Sequence, residues 1–202
     1  MNHYFNITLF PDAELKVQVL MNAIFVKLHK LLCDKQSTAV GISFPQYDMA
    51  CLSEKFERLP SNFPQRYVSL GNTLRVHGTD TYLAQLKAEN WLGGMNGYCN
   101  VSEITPVPTG TRFRTVSRKQ TTMSQAKLNR LIKRGSITEE EVKNYRAKMF
   151  TKGLDNPYVE LASGSNGHRH RRYIEFGELL DNPVAGEFDQ FGLSKNATVP
   201  WF

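Results

Sequence analysis

Two sets of residues in this 202-residue chain have the types and spacing to do chemistry. The first is histidine: His3, His29, His77, His168 and His170. A neutral imidazole is the side chain best suited to taking a proton from a hydroxyl near neutral pH. His29 follows Leu28 in a helical stripe of Leu20, Ile24, Leu28 and Leu31, about 100° further round the helix. It therefore sits at the edge of the buried stripe, packed on one side and able to reach a ligand on the other. His168 and His170 share a strand face at i and i+2. No cysteine or carboxylate lies near them to complete a metal site, so neither metal nor cofactor is expected. Ser163 and Ser165 fall in A-S-G-S-N-G, a loop composition, and no Gly-x-Ser-x-Gly elbow is present to activate a serine.

The second set is cationic. Between Thr105 and Thr138 there is no Asp or Glu, yet Arg112, Arg114, Arg118, Lys119, Lys127, Arg130, Lys133 and Arg134 all fall there. Residues 1–104 carry nine Lys/Arg against nine Asp/Glu, so the formal net charge of +6 belongs entirely to the second half. A one-sided positive field points to a polyanion, most often a nucleic acid. Lys127, Arg130 and Arg134, at i, i+3 and i+7, share one helical face. A helix-turn-helix reading would place the second helix in the DNA major groove, but that helix begins Glu139-Glu140-Glu141, which phosphates repel. A basic first helix addressing structured RNA at hairpins, bulges and stem ends fits the charges better.

The elements that position these groups can be read from periodicity. His3 to Phe10 alternates as a half-buried strand, and Asp12 is a candidate cap for a helix from about Ala13. A second strand covers Val40 to Phe44. Residues 46–72 read as an irregular insertion, with a short helix near Leu52 to Arg58. A third strand at Leu74 to His77, a helix capped by Thr79 and a fourth strand at Val101 to Ile104 follow. Strand, helix, strand, strand, helix, strand is the ferredoxin-like arrangement, also that of RRM-like RNA-binding sheets. The reading is thus α+β, with a ferredoxin-like domain over 1–104 and a basic domain over 105–202. In the second, a strand near Phe113 to Val116 precedes a helix from about Ser124 to Arg134, with Leu128, Leu131 and Ile132 inward and Gly135 closing it. Thr138 and Glu141 form a capping box for the next helix, which ends near Gly153. Strands are expected at Tyr158 to Ala162 and Arg169 to Phe176.

Hydrophobic content of 41% suffices for a core. No apolar run approaches the ~18 residues of a membrane helix, and the N-terminal residues lack a signal-peptide pattern. Cys33, Cys51 and Cys99 form no paired motif, so a reducing cytoplasm is expected rather than a disulfide framework. The residues alone lead to an RNA-binding protein with a candidate catalytic histidine; a non-catalytic RNA-hairpin binder and a DNA-binding regulator are the alternatives to an enzyme.

Short strings along the whole chain add a resemblance. M-N-H-Y at the start, Pro11-Asp12, F-V-K-L-H ending at His29 and G-I-S-F-P from Gly41 come first. L-G-N-T-L-R-V-H from Leu70, V-S-R-K-Q from Val116, G-L-S-K from Gly192 and V-P-W-F from Val199 follow in order. Together they resemble the CRISPR-associated repeat-RNA endoribonucleases of subtype I-F, the Ypest type. The resemblance implies binding of the CRISPR repeat hairpin and metal-independent cutting of pre-crRNA at the 3′ base of the stem. In that reaction the 2′-OH attacks, leaving a 2′,3′-cyclic phosphate, and the enzyme stays on the mature crRNA among the other subunits of the type I-F surveillance complex. His29 would be the catalytic histidine and Ser163 would hold the attacking ribose. Arg118 and Gln120 would read stem bases, Arg130 and Arg134 would face the groove and Lys133 would contact a phosphate; Lys127 joins them as an RNA-binding candidate on charge spacing alone. His170 stands where the family's best-known member has a stacking Phe, and Phe191 where it has a Tyr. The insertion at 46–69 has no counterpart there.

If the basic helix reads the stem, Arg130→Ala and Arg134→Ala should each cost about 1–3 kcal/mol of hairpin affinity where they contact bases. Filter-binding titrations at several salt concentrations check this, and the wild-type affinity should fall steeply with salt.

Overall fold

The computed structural model describes residues 1–51, 66–120, 125–151, 156–162 and 169–202. Alternation builds the first strand, β1 (His3–Leu9): Phe5, Ile7 and Leu9 are buried and the residues between them half-buried. The following helix, α1 (Val17–Asp34), buries Leu20, Ile24, Leu28 and Leu31, the stripe that the spacing predicts. Its start differs from the expectation at Ala13. The Asp12 carboxylate instead accepts the backbone N–H groups of Glu14 and Leu15, closing a local turn, and the helix begins at Val17 without a side-chain cap.

β2 (Gly41–Ser43) and a hairpin of β3 (Asp48–Cys51) with β4 (Arg66–Ser69) follow. The insertion read as irregular is therefore bracketed by a two-stranded sheet; its suggested helix at 52–58 lies outside the described residues. β5 (Thr73–Gly78) is buried along its whole length. The Thr79 hydroxyl caps α2 (Asp80–Ala88) as expected, accepting from Tyr82 N. The fourth strand, β6 (Cys99–Val101), lies two residues earlier than the sequence suggests, and β7 (Thr105–Pro106) pairs with the opposite end of β1. The sheet runs β2-β5-β1-β6 with every neighbour antiparallel.

The basic half adds two small sheets. The single strand expected near Phe113 is two: β8 (Arg112–Arg114) and β9 (Val116–Lys119). β9 joins β10 (Tyr158–Ala162) and β11 (Arg169–Phe176) in the order β10-β11-β9, whereas β8 pairs with β12 (Val199–Trp201). Between them stand α3 (Gln125–Lys133) and α4 (Glu139–Thr151). One hydrophobic cluster runs through both halves, from Phe5, Ile24 and Val76 to Val116, Val159, Ile174, Leu193 and Val199. Two polar contacts tie α1 to β10: Gln18 Nε2 donates to the Tyr158 carbonyl at 2.7 Å, and Glu160 N donates to Asn22 Oδ1 at 3.0 Å. Among the described residues no helix is long and apolar enough to cross a membrane.

His77 is structural. It is fully buried on β5, with Nε2 2.8 Å from Ser43 Oγ and Nδ1 unpartnered among the described residues. Burial first, then the Arg75 and N-terminal charges, push its pKa well below the ordinary histidine value. The unfolded chain therefore binds more protons than the folded one as pH falls through ~6.5, which costs up to ~1.4 kcal/mol of stability per pH unit below that point. Urea unfolding at about pH 7.5 and 5.5 should show a larger loss of midpoint in wild type than in His77→Asn, which lacks the titrating group.

Candidate active site

His29 leaves α1 half-buried, at the stripe's edge, facing residues 189–193. Its Nδ1 lies 2.8 Å from the Gln190 carbonyl oxygen. A carbonyl can only accept, so Nδ1 carries a proton, and in a neutral ring the lone pair is on Nε2. One turn on, Cys33 brings its Sγ to 3.5 Å from Nδ1 and 3.7 Å from Nε2 while donating to Gln190 Oε1 at 3.2 Å. Burial, with Asp34 adding to it, raises the Cys33 pKa, so this thiol is a packing neighbour rather than a nucleophile.

Phe191 stacks flat on the imidazole, with centroids 3.5 Å apart and planes 12° from parallel. The Arg172 guanidinium carbon lies 3.5 Å from the same Phe191 centroid. Two groups this close cannot share one ring face, so the phenyl ring is clamped between a cation and the histidine. The backbone that delivers Phe191 is fixed locally. Asp189 Oδ1 accepts from Phe191 N at 2.8 Å and Leu193 N at 3.0 Å, and Gly192 N donates to the Asp189 carbonyl at 2.8 Å. Gly192 has φ +71°, and a Cβ there would fall 2.8 Å from Ile42 Cγ2. Ile42 N donates to Gly192 O at 3.0 Å, pinning the turn to β2.

Sheet register supplies the rest. Arg118 pairs with Ile174 and Lys119 with Tyr173. Alternation then puts Arg118, Gln120, His170, Arg172 and Ile174 on one face, and Lys119, Arg171, Tyr173 and Glu175 on the other. Ile174 is buried, so the first face turns inward. A cleft of about 410 Å³ opens there, its walls including Arg118, Gln120, Arg172, Asp189, Ser194 and Lys195. Burial lowers the Arg172 pKa to about 10, helped by repulsion from Arg118 and opposed by Asp189.

The sequence-predicted residues thus divide. His29 and Phe191 are in direct contact, and Arg118 and Gln120 line the adjoining cleft. His170 is exposed on the same strand face, two residues from Arg172. Lys127, Arg130 and Lys133 are exposed on α3; Arg134 N still donates to the Arg130 carbonyl at 3.1 Å, so it prolongs the same helical turn. Gly135 takes φ +63° to end that helix, and Thr138 with Glu141 forms the expected capping box. Ile132, expected inward, is 46% exposed; Leu128 is fully buried and Leu131 half-buried. Ser163 and His168 lie outside the described residues.

The basic stretch is less bare than its local sequence suggests. Glu175 pairs with Lys119, and Asp181 lies 3.3 Å from Arg112. Arg114 donates twice to the Gly177 carbonyl and lies over the Phe176 and Trp201 rings. Sequence reasoning missed Arg172 and the Gln190 carbonyl. The alternation of Arg169 to Phe176 was a usable signal for the first, since it puts Arg172 in phase with apolar Ile174; no side-chain signal marks a backbone carbonyl.

A family model described as "CRISPR-associated protein (Cas_Csy4)" matches residues 4–202. The chain belongs to that family. Two curated Cas_Csy4 relatives are each named "CRISPR-associated endonuclease Cas6/Csy4". The one from Escherichia coli (strain UTI89 / UPEC) is 36% identical over 203 residues, and the one from Pseudomonas aeruginosa (strain UCBPP-PA14) 35% identical over 203 residues. In each case the alignment covers 100% of both chains. A solved chain described as "Structure A of CRISPR endoribonuclease Cse3 bound to 19 nt RNA" aligns over 100% of both chains at 12% identity and a TM-score of 0.38, too slight a likeness for even the fold to be read across.

The 189–193 turn yields a direct test. Gly192→Ala forces a Cβ into the left-handed region against Ile42, at a cost of about 1–3 kcal/mol. Chemical denaturation should show that loss, and nuclease assays should show a loss of activity larger than the unfolded fraction explains, because Gln190 and Phe191 move with the turn.

Proposed function

We propose that this Cas_Csy4 protein is an endoribonuclease that binds the hairpin of a CRISPR repeat and cuts pre-crRNA at the 3′ base of the stem. It then remains on the mature crRNA with the other subunits of a type I-F surveillance complex, in the cytoplasm. The observation that carries the reading is the 2.8 Å contact of His29 Nδ1 with the Gln190 carbonyl. With Nδ1–H given to the Gln190 carbonyl and the ring stacked on Phe191, Nε2 is held ready to accept a proton.

In the proposed reaction Nε2 takes the proton of the ribose 2′-OH, with no metal in the step. The 2′-oxygen forms a bond to phosphorus, the P–O5′ bond breaks, and O5′ takes up a proton. The products are a 2′,3′-cyclic phosphate and a 5′-OH. Ser163 holds the attacking ribose, an orienting role that a stacked nucleotide does not supply for itself. Phe191 has no hydroxyl, so it contributes ring stacking and nothing more. His170 offers a stacking surface to a base near the cut. The Arg118/Gln120 edge and the Lys127, Arg130, Lys133 and Arg134 face hold the stem. The strand order β2-β5-β1-β6, all antiparallel, supports reading 1–104 as a ferredoxin-like platform. Residues 105–202 then form the basic RNA-binding unit with its arginine-rich helix.

His29→Ala should lose about 10²–10⁴-fold in single-turnover rate on a repeat hairpin while keeping wild-type affinity and fold. A substrate with 2′-deoxy at the nucleotide before the cut should bind wild type and stay intact, and excess chelator should leave cutting of the normal substrate unchanged. Cutting by His29→Ala at the wild-type rate, or cutting of the deoxy substrate, would falsify the mechanism and leave a hairpin-binding protein.

A further inference from the structure

Arg172 has no part in the chemistry described so far, yet it is a buried cation. It is 8% exposed, and among the described residues its Nε has no hydrogen-bond partner. A buried guanidinium is normally satisfied by a carboxylate or by carbonyls, because an uncompensated buried charge is costly. Asp189 and Glu187 border the same cleft, and Asp189 favours the charged form of Arg172, but its Oδ1 is engaged by two backbone N–H groups of the Phe191 turn. Arg118 adds repulsion, since both arginines border the same cleft. Such a site becomes more favourable when an anion enters it.

Its position says which anion. Phe191 separates Arg172 from His29 with each group 3.5 Å from the ring centre, on opposite faces, so cation and imidazole stand about 7 Å apart. In a near-attack geometry the 2′-oxygen hydrogen-bonds the base and lies ~3–3.5 Å from phosphorus. A non-bridging oxygen on that phosphorus then extends further from the base, toward a donor that needs to come within ~2.7–2.9 Å. A cation about 7 Å from the imidazole spans that distance.

We infer that Arg172 is a further catalytic residue, whose guanidinium donates to a non-bridging oxygen of the scissile phosphate across the edge of the Phe191 ring from His29. This rests on the endoribonuclease reading above. As O2′–P forms and P–O5′ breaks, negative charge builds on the non-bridging oxygens of the phosphorane; Arg172 opposes that charge and exchanges no proton. Because the guanidinium is held in place by the ring before substrate arrives, little reorganisation accompanies the reaction. The clamp also accounts for Phe191: one ring sets the position of base and cation together.

The test is a thio-effect experiment on full-length protein with a repeat hairpin. Arg172→Leu should slow single-turnover cleavage about 10²–10³-fold, with the affinity for the 2′-deoxy hairpin within a few-fold of wild type. Replacing a non-bridging oxygen of the scissile phosphate by sulfur should slow wild type for one diastereomer, and that penalty should largely vanish in Arg172→Leu. A residue that only supported the fold would lower the rate without changing the sulfur penalty. Should Arg172→Leu not fold, Arg172→Lys is measured instead; it should cut more slowly than wild type with a reduced sulfur penalty. Near-wild-type cutting by the variant that folds, or an undiminished sulfur penalty in it, overturns the assignment while leaving His29 as the base. If wild type does not cut the hairpin at all, the endoribonuclease reading fails and this assignment with it.

Discussion

The hydrogen bond from Ile42 N to Gly192 O joins the edge of the main sheet to a turn near the far end of the chain, and the candidate site hangs on it. Gly192 reaches that contact because it sits at positive φ and has no side chain to strike Ile42. Asp189 closes the same turn from within. The Gln190 carbonyl is thereby presented to His29 Nδ1 and the Phe191 ring to its face. The histidine is oriented from outside its own helix, by a backbone acceptor and an aromatic plane that belong to a five-residue turn. Helix α1 supplies only the location.

Charge is sorted by depth and by face in the basic half. On the outward face of β9 and β11, cations meet partners from distant sequence: Lys119 with Glu175, and Arg171 with Glu160 at 3.4 Å. Arg114 is consumed by the Gly177 carbonyl and two aromatic rings. The inward face keeps Arg172 against an aromatic ring instead of an acid. The half of the chain that carries all the net charge therefore commits part of it to its own fold, at Lys119, Arg171 and Arg114.

Much of this was legible before any coordinates. The α1 stripe, the β1 alternation, the Thr79 and Thr138 caps and the Gly135 terminator rest on contacts within a few residues, and local sequence encodes those well. The helix start at Val17 was not legible, because Asp12 satisfies two N–H groups in a turn that competes with a helix cap. Nor were the separate partners of β8 and β9, since strand pairing depends on residues far along the chain. For the site, the edge position of His29 followed from one helical period, whereas its tautomer depends on a carbonyl 161 residues away. The positive stretch looked unopposed because its acids, Glu175 and Asp181, arrive after two helices. Arg172 was visible only to a reader who carried strand alternation past the apolar residues to the arginine in phase with them.

The 161-residue separation between His29 and its acceptor also orders events in time. Contacts so distant close late, because the chain between them must first be made and folded. A nascent chain emerging from the ribosome displays the cationic α3 helix before residues 189–193 exist. Until those residues dock on β2, His29 has neither its Gln190 acceptor nor its Phe191 neighbour. On the proposed reading, a growing chain carries its cationic helix before its candidate base is oriented, and would meet the transcripts around a ribosome as a binder before it could act as a nuclease.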